Sequence, residues 1–298
     1  MFARIASAAL LLTATASAPP PQGAAADGQV RWAKQCKDWD EWDKPGPPYL
    51  IHGQTYYVGT CGISAILIVS PEGHTLIDSG TDAGAKVVAA NIRKLGFRLA
   101  DVNTLLNTHE HHDHVGGMAR LQRLTGAHLV SSPRAAAVLG SGTSDSEDPQ
   151  AMEHMRFPPA HVTDVLEMKD GEARILGATE LRAVATPGHT PGALSWQWES
   201  CETKDRCLTI VYADSLTPVS SDGYRFSDHP AYLAAFRASL AKIASLKCDI
   251  LLSPHPSASG MRDRLLRGSL VDPQGCEAYA ARLSKQLDER LAKEADGR

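Results

Sequence analysis

Four potential metal ligands lie within six residues of one stretch of the chain, NTLLNTHEHHDHVGGM at 103–118. They are His109, His111, Asp113 and His114, and a short apolar run that indicates a buried strand precedes them. In an extended segment, side chains two residues apart point the same way, so His109 and His111 can bind one ion while the other two ligands face a second. Imidazoles combined with one carboxylate favour zinc, although iron and manganese also suit these residue types. The alternative, a solvated polar turn, is disfavoured because four such residues rarely coincide at this spacing.

Two ions with three protein ligands each need two more donors, and two histidines farther along the chain are suitable. His189 lies in TPGHTPG, a loop stiffened by two prolines directly after the predicted strand LRAVAT. His255 lies in SPHP, again directly after a predicted strand. A single histidine is more often structural than ligating, but the shared proline-flanked position at a strand end favours a ligand role for both.

Strand and helix patterns recur along most of the chain. β-branched and apolar runs bounded by turn residues predict strands at 55–60, 63–70, 74–80, 103–107, 127–132, 173–177, 180–186, 193–198, 207–213 and 249–253. Apolar residues at helical spacing predict helices at 83–96, 114–124, 133–140, 229–245 and 276–294. The polar segment 142–161 lacks periodicity and is predicted to be a surface loop beside the substrate cleft. Recurrence in both halves favours an α+β fold with two stacked sheets and helices outside.

The first 26 residues predict a secretory signal peptide. The segment MFARIASAALLLTATASA contains one basic residue, an apolar core and small residues. Cleavage after Ala18 would leave Pro19 at the new N-terminus, so cleavage before Asp27 is favoured. A retained membrane anchor is the alternative. We therefore predict a signal peptide at 1–26 and a single exported domain at 27–298.

Six cysteines in an exported chain favour three disulfides over free thiols. The sequence alone allows about fifteen pairings. Pairing between nearest neighbours would give Cys36–Cys61, Cys201–Cys207 and Cys248–Cys276. Metal ligation by cysteine is the rival interpretation, and it is disfavoured because no cysteine lies beside a candidate histidine.

The charge of the chain argues against nucleic acid as a partner. The formal net charge is −4 and the sequence pI is about 6.3. A protein that binds phosphate backbones would normally carry a basic patch and a high pI.

The ligand pattern resembles the metallo-β-lactamase superfamily, with His109-x-His111-x-Asp113-His114 followed by His189 and His255. The segments Tyr212–Thr217, Tyr57–Thr60 and Ser253–Pro256 resemble subclass B3 in particular. The resemblance implies a four-layer αβ/βα sandwich with the site along one edge. It also implies a first zinc on His109, His111 and His189, and a second on Asp113, His114 and His255.

The same resemblance implies an exported, zinc-dependent β-lactamase with two Zn²⁺ per chain. Its substrates would be penicillins, cephalosporins and carbapenems, opened by a hydroxide that bridges the two ions and that Asp113 orients. Ser215, which stands where other subclasses use a cysteine ligand, would hold the substrate carboxylate with Thr217, and Gln150 would lie on one wall of the cleft. The implied protein is periplasmic and monomeric, binds a small molecule, and has no nucleic-acid partner and no membrane partner after signal removal.

Other functions remain open because superfamily relatives hydrolyse thioesters, lactones, phosphodiesters or sulfates with the same loop. An Asp214 that bridged both metals would indicate a glyoxalase or a lactonase. Asp214 lies one residue short of that position, and export disfavours a glyoxalase. A non-catalytic zinc-binding protein would fill every coordination position, whereas three ligands per ion leave room for water.

Several polar residues are predicted to support the site without binding metal. Asp78 is expected to brace the ligand loop, and Glu110 and His112 are expected to face the cleft or to contact the ligands. The remaining histidines lack ligand spacing: His52, His74, His128, His154, His161 and His229.

Overall fold

The structure is a computed structural model that describes residues 22–151, 156–167, 173–176 and 180–296. Its strands form two sheets, one of seven strands in the order β1-β2-β3-β4-β5-β6-β7 and one of five in the order β12-β11-β10-β9-β8. The first sheet comprises β1 Tyr49–His52, β2 Thr55–Tyr57, β3 Ile66–Ile68, β4 His74–Ile77, β5 Val102–Leu106, β6 His128–Ser131 and β7 Val162–Val165. The second comprises β8 Ala173–Leu176, β9 Leu181–Ala185, β10 Leu194–Thr203, β11 Arg206–Tyr212 and β12 Ile250–Leu252.

Eight α-helices accompany the sheets in the described part of the chain. They are α1 Gln22–Gln35, α2 Gly84–Lys94, α3 His112–Val115, α4 Met118–Thr125, α5 Pro133–Ser141, α6 Pro230–Ser245, α7 Met261–Leu266 and α8 Gly275–Ala295. Short 3₁₀ helices lie at Leu99–Asp101, Phe226–Asp228 and Pro256–Ser259.

Residue alternation along the strands divides the core into three layers. On β3, Ile66 and Ile68 pack into the cluster between the two sheets, while Leu67 packs against α2 and α4 on the outside. On β11, Tyr212 faces the other sheet and Val211 packs against α6 and α8. The order helix, sheet, sheet, helix follows, which confirms the predicted two-sheet α+β architecture.

The two sheets differ from doubly wound sheets in their pairing. Strands β4 to β7 run parallel, and β1 to β4 are antiparallel neighbours. In the second sheet only β12 runs parallel to its neighbour β11. The strands β5, β9 and β12 all lead into loops that carry candidate ligands.

The helix predicted at 114–124 is wrong at its start and in its continuity. The structure has two helices instead, because α3 begins at His112 and ends before Gly116, and α4 begins at Met118. Gly117 packs so closely that a Cβ atom there would lie 2.5 Å from the Cβ of Ala85. The missing side chain thus lets the end of the ligand loop pack directly against α2.

Several short elements were not predicted, among them β1, β7 and α7. Strand β7 has one partly buried and three exposed residues, so it lacks the apolar alternation that marks a strand. The polar segment 142–161 is a loop over most of its described length, as predicted, and residues 152–155 lie outside the description.

All three disulfides join nearest neighbours in the sequence: Cys36–Cys61, Cys201–Cys207 and Cys248–Cys276. The predicted signal peptide falls mostly on residues 1–21, outside the described residues, and its proposed cleavage point lies within α1. Among the described helices, none combines the length and the apolar character that crossing a membrane requires.

Candidate metal centre

The predicted ligands meet at one edge of the two sheets. His109 follows β5 of the first sheet, whereas His189 and His255 follow β9 and β12 of the second. Each of these three histidines therefore lies on a loop directly after a strand, at the edge where the ends of neighbouring strands meet.

The structure groups the six predicted ligands into two sets of three. In each set the potential ligand atoms all lie within 4.8 Å of one another. The first triad, as we call it, is His109, His111 and His189, and the second triad is Asp113, His114 and His255. The sequence pattern predicts the same two groups. Their local cause differs, because Asp113 and His114 lie on the helical turn α3 and not on an extended segment.

Ring contacts join the two triads into one cluster of five imidazoles. The ring centroids of His109 and His114 are 4.2 Å apart, and those of His111 and His189 are 4.9 Å apart. His255 completes the cluster with its ring 4.9 Å from His114. Five protonated imidazoles at these distances would repel one another strongly, so the cluster favours neutral rings that can bind a cation.

Unpartnered ring nitrogens show that the cluster fits a metal. Nε2 of His109 and Nδ1 of His114 are buried and make no hydrogen bond to any described residue. Nε2 of His114 lies 3.0 Å from Oδ2 of Asp113, a member of the same set. Buried polar atoms normally have partners, and a missing ion is one of the recognised explanations for an exception. Three imidazoles in one set, and two imidazoles with one carboxylate in the other, are donor sets that suit zinc.

Asp214 orients His109 from outside the first triad. Its Oδ1 lies 2.7 Å from Nδ1 of His109, and both side chains are fully buried. This contact holds the proton on Nδ1 and leaves Nε2 for a metal, the carboxylate–histidine arrangement typical of metal sites. Asp214 belongs to neither triad, which agrees with the prediction that it is not a bridging ligand.

Asp148 orients His111 in the same way, although no sequence pattern indicates this contact. Its Oδ2 lies 2.9 Å from Nε2 of His111, and the residue is only 3% exposed. Its other oxygen accepts the backbone N–H of Gln150 at 2.8 Å. Asp148 therefore connects the loop after α5 to the first triad. An acidic side chain in an irregular loop gives no sequence signal of such a contact.

His189 is held by the segment after β11. Its Nδ1 lies 3.0 Å from the carbonyl oxygen of Thr217, which leaves Nε2 directed toward the first triad. Nε2 of Gln150 lies 3.4 Å from Nε2 of His189, so the predicted wall residue does border this ligand.

Two buried carboxylates brace the ligand loops, as predicted for Asp78. Asp78 accepts the backbone N–H of Thr108 at 2.7 Å and the hydroxyl of Tyr212 at 2.7 Å, which links the two sheets beneath the ligand loop. Glu110 accepts the hydroxyl of Thr190 at 2.6 Å and the backbone N–H of Gly192 at 2.8 Å. The loop of His189 is thereby fastened to the loop of His109.

Ser215 follows Asp214 in the chain and has an unused hydroxyl. It is 1% exposed, and its Oγ has no hydrogen-bond partner in the described part of the chain. The hydroxyl of Tyr279 donates to the carbonyl oxygens of both Asp214 and Ser215 at 2.7 Å, which fixes this segment. Thr217 is partly exposed and contacts His189.

Burial keeps three of the five imidazoles neutral, and neighbouring imidazoles keep the carboxyl of Asp113 ionised. Burial lowers the pKa of His109 well below its usual range and that of His189 to about 3. Burial also lowers the pKa of His255, to about 4. Although burial acts in the opposite direction, His114 and His255 hold the pKa of the Asp113 carboxyl far below normal.

Two imidazoles have a pKa above the usual value because carboxylates lie beside them. Burial opposes the shift in both, but Asp148 raises the pKa of His111 and Asp113 raises that of His114. Binding of a cation at either ring would release any proton that these carboxylates hold there.

The other histidines stay outside both triads wherever the structure describes them. His112 faces Trp42 with ring centroids 5.4 Å apart, so it lies beside the second triad without joining it. His154 lies outside the described residues.

The chain is similar to known proteins both in sequence and in fold. Residues 58–202 match the family model described as the metallo-β-lactamase superfamily. The solved structure of MIM-2 metallo-β-lactamase is 57% identical, with a TM-score of 0.84, and the match covers 90% of this chain and 98% of that one. MEM-A1, a subclass B3 metallo-β-lactamase from a soil metagenome library, is 41% identical with a TM-score of 0.79, over 87% of this chain and 100% of that one.

A relative with a different named activity also matches. The hydroxyacylglutathione hydrolase of Methylococcus capsulatus is 33% identical over 248 residues, which are 80% of this chain and 82% of that protein.

Proposed function

Because this chain belongs to the metallo-β-lactamase superfamily, we propose that it is an exported, zinc-dependent β-lactamase of subclass B3. Its proposed reaction is hydrolysis of the lactam amide of penicillins, cephalosporins and carbapenems. The observation that carries this proposal is the pair of triads with unpartnered, buried ring nitrogens. The 57% identity with MIM-2 metallo-β-lactamase supports lactams as the substrate class.

We assign the first triad, His109, His111 and His189, to one Zn²⁺ and the second triad, Asp113, His114 and His255, to another. When bound, this pair of ions would supply a bridging hydroxide near neutral pH and a Lewis acid for the lactam carbonyl.

The residues of the chain supply orientation and substrate binding. Oδ2 of Asp113 lies 3.0 Å from Nε2 of His114 and 3.4 Å from Nε2 of His255. Its other oxygen lies 4.0 Å from Nδ1 of His112, beyond hydrogen-bonding distance, and would orient the nucleophile. Ser215 and Thr217 would bind the substrate carboxylate beside the first triad, and Gln150 would contact the substrate from the opposite loop. This division places the carboxylate end of the substrate near His189.

Thioester hydrolysis is the second candidate, because a hydroxyacylglutathione hydrolase matches over 80% of the chain. The position of Asp214 argues against it. Its carboxylate contacts Nδ1 of His109 and takes no part in either triad, so it is not placed to bridge two metals.

The test is hydrolysis by the purified, zinc-loaded protein of a penicillin, a cephalosporin, a carbapenem and a glutathione thioester. We expect lactam hydrolysis that stops on addition of a chelator and returns with zinc. Efficient thioester hydrolysis without lactam hydrolysis would overturn the proposal. Elemental analysis should give two zinc ions per chain, and His109→Ala should lose both activity and zinc.

A further inference from the structure

The segment Asp214–Thr217, which lies just after β11, directs two of its polar groups to the first triad. The carboxylate of Asp214 lies 2.7 Å from Nδ1 of His109, and the carbonyl oxygen of Thr217 lies 3.0 Å from Nδ1 of His189. Two of the three imidazoles in this triad therefore take their orientation from one short segment. A small displacement of the segment would change the orientation of both rings toward a shared ion.

The backbone of this segment has a conformation that its residue type does not favour. Leu216 is left-handed, with φ 42°, and its side chain is fully buried. Such a conformation is rare for a bulky residue and persists only where the surrounding structure imposes it. The backbone N–H of Asp214 donates to Oγ of Ser195 at 2.9 Å, which fixes the start of the segment. The two carbonyl groups between Asp214 and Leu216 need a donor of their own.

Tyr279 on α8 supplies that donor. Its hydroxyl lies 2.7 Å from the carbonyl oxygens of both Asp214 and Ser215, the two carbonyl groups that directly precede Leu216. Donation shared between two successive carbonyl groups fixes the direction in which both of them point. Because burial raises the pKa of Tyr279 well above its usual value, the hydroxyl keeps the proton that it donates.

Tyr279 is itself held in place on three sides. It is 2% exposed and lies one turn after Cys276, whose disulfide with Cys248 joins α8 to the chain just before β12. The guanidinium of Arg282 lies 5.3 Å from the centre of the tyrosine ring and also donates to the carbonyl oxygen of Ala258. α8 is therefore a rigid element behind the first triad, and the hydroxyl of Tyr279 connects it to the segment.

We propose that Tyr279 is a positioning residue for the first triad, which raises the zinc affinity of His109 and His189 through the segment Asp214–Thr217. The inference rests on the proposed function, because it concerns the zinc ion assigned to that triad. It goes beyond that function by naming a residue of α8 that acts on the ligands through two further residues. The second triad takes its ligands from α3 and from the loop after β12, so its ion should be affected little.

The test compares Tyr279→Phe with Tyr49→Phe. Both variants remove one buried hydroxyl and keep the ring, but the hydroxyl of Tyr49 contacts Sδ of Met261 on α7 at 3.1 Å. Competition with a chromophoric chelator should show zinc affinity lowered about three- to tenfold at one site in Tyr279→Phe, less than the loss of a direct partner of a ligating histidine causes. The other site in that variant, and both sites in Tyr49→Phe, should match wild type.

A second measurement follows the Nδ1 proton of His109, which contacts the carboxylate of Asp214. In ¹H–¹⁵N spectra of the zinc-loaded protein, the resonance of this proton should shift in Tyr279→Phe, and the proton should exchange with solvent faster than in wild type. Tyr49→Phe should leave both its position and its exchange unchanged. A merely structural role of Tyr279 would lower Tm without moving this resonance.

The outcomes separate this inference from the proposed function. Equal zinc affinities in Tyr279→Phe and wild type, or an equal loss of affinity in Tyr49→Phe, would overturn the inference alone. A wild-type protein that binds two zinc ions but hydrolyses no lactam would overturn the proposed substrate class, while the zinc affinities of the two variants would still decide the inference. A wild-type protein that binds no zinc would overturn both.

Discussion

The carboxylate of Asp148 lies 2.9 Å from Nε2 of His111, although 37 residues separate the two in the chain. The same carboxylate accepts the backbone N–H of Gln150, so one buried group holds both a candidate metal ligand and the loop beside the cleft. The conformation of that loop and the orientation of His111 are therefore coupled.

Removal of the Asp148 charge should weaken metal binding at the first triad. Asp148→Asn is expected to lower zinc affinity there roughly 10- to 100-fold, the usual effect of losing a carboxylate behind a ligating histidine. Competition with a chromophoric chelator measures it. Asp145→Asn is the matched control, because Asp145 lies on the same loop and binds Arg134 instead. Equal zinc affinity in Asp148→Asn and wild type would contradict the positioning role.

Substitution of Asp214 should distinguish orientation of His109 from metal bridging. The amide oxygen of Asp214→Asn can still accept the N–H of His109, so we expect two zinc ions per chain and a rate lowered by roughly tenfold. Asp214→Ala removes the acceptor and should lower both zinc content and rate further. Elemental analysis with steady-state kinetics tests this, and loss of one zinc in Asp214→Asn would instead indicate a bridging ligand.

Ser215→Ala should raise KM more than it lowers kcat. The hydroxyl has no partner in the described residues, and the proposed function assigns it to the substrate carboxylate. Loss of a hydrogen bond to a charged group, about 2 kcal/mol, corresponds to a KM raised roughly 30-fold. The methyl ester of benzylpenicillin serves as the control, because its KM should be insensitive to the substitution. An unchanged KM for the free acid would remove the carboxylate role.

Glu294 should make the stability depend on pH in the acid range. It accepts the backbone N–H groups of Phe226 and Ser227 and pairs with Arg290, and although burial opposes the shift, these contacts lower its pKa to about 2. A carboxyl whose pKa is lowered on folding stabilises the folded state above its unfolded pKa, and this contribution is lost as pH falls.

The measurement is the difference in unfolding free energy between wild type and Glu294→Gln. We expect roughly 2 kcal/mol near neutral pH, falling toward zero between about pH 4.5 and pH 2. Urea unfolding at several pH values gives this difference, and Glu289→Gln, an exposed pair with Lys285, should show almost none. A difference that stays constant down to pH 2 would refute the assignment.

The disulfides should differ in their contribution to stability. Cys248 and Cys276 are 28 residues apart, whereas Cys201 and Cys207 are 6 apart. The loop-closure model predicts about 3.6 kcal/mol for replacing the first pair by serines and about 2.2 kcal/mol for the second. Denaturant midpoints of the two double variants check the order, and a larger loss for the hairpin disulfide would contradict it.

The six candidate ligands could be predicted from the sequence, but most of the residues that orient them could not. His109 to His114 are close in sequence, and His189 and His255 each follow a strand, so their convergence follows from strand ends that meet at one edge. The disulfide pairs could likewise be predicted from proximity, as could the bracing by Asp78. These features could be predicted because they depend on residues that are close in the sequence or that directly follow a strand.

Contacts across long separations could not be predicted. Asp148 lies in a loop without periodicity that contains several acidic residues. No sequence pattern shows which of them contacts His111. The backbone N–H of Trp39 donates to Oγ of Ser257, which is 218 residues away. The division between α3 and α4 depends on the packing of Gly117 against Ala85, which only the assembled fold determines.

Each triad takes two donors from the loop after β5 and the third from a loop of the other sheet. A chain in which only the amino-terminal half has folded therefore possesses no complete set of three donors. If the triads bind zinc as proposed, tight binding requires that the two sheets have already packed together. A partly folded chain would then lose the metal to a competing chelator that the folded chain resists.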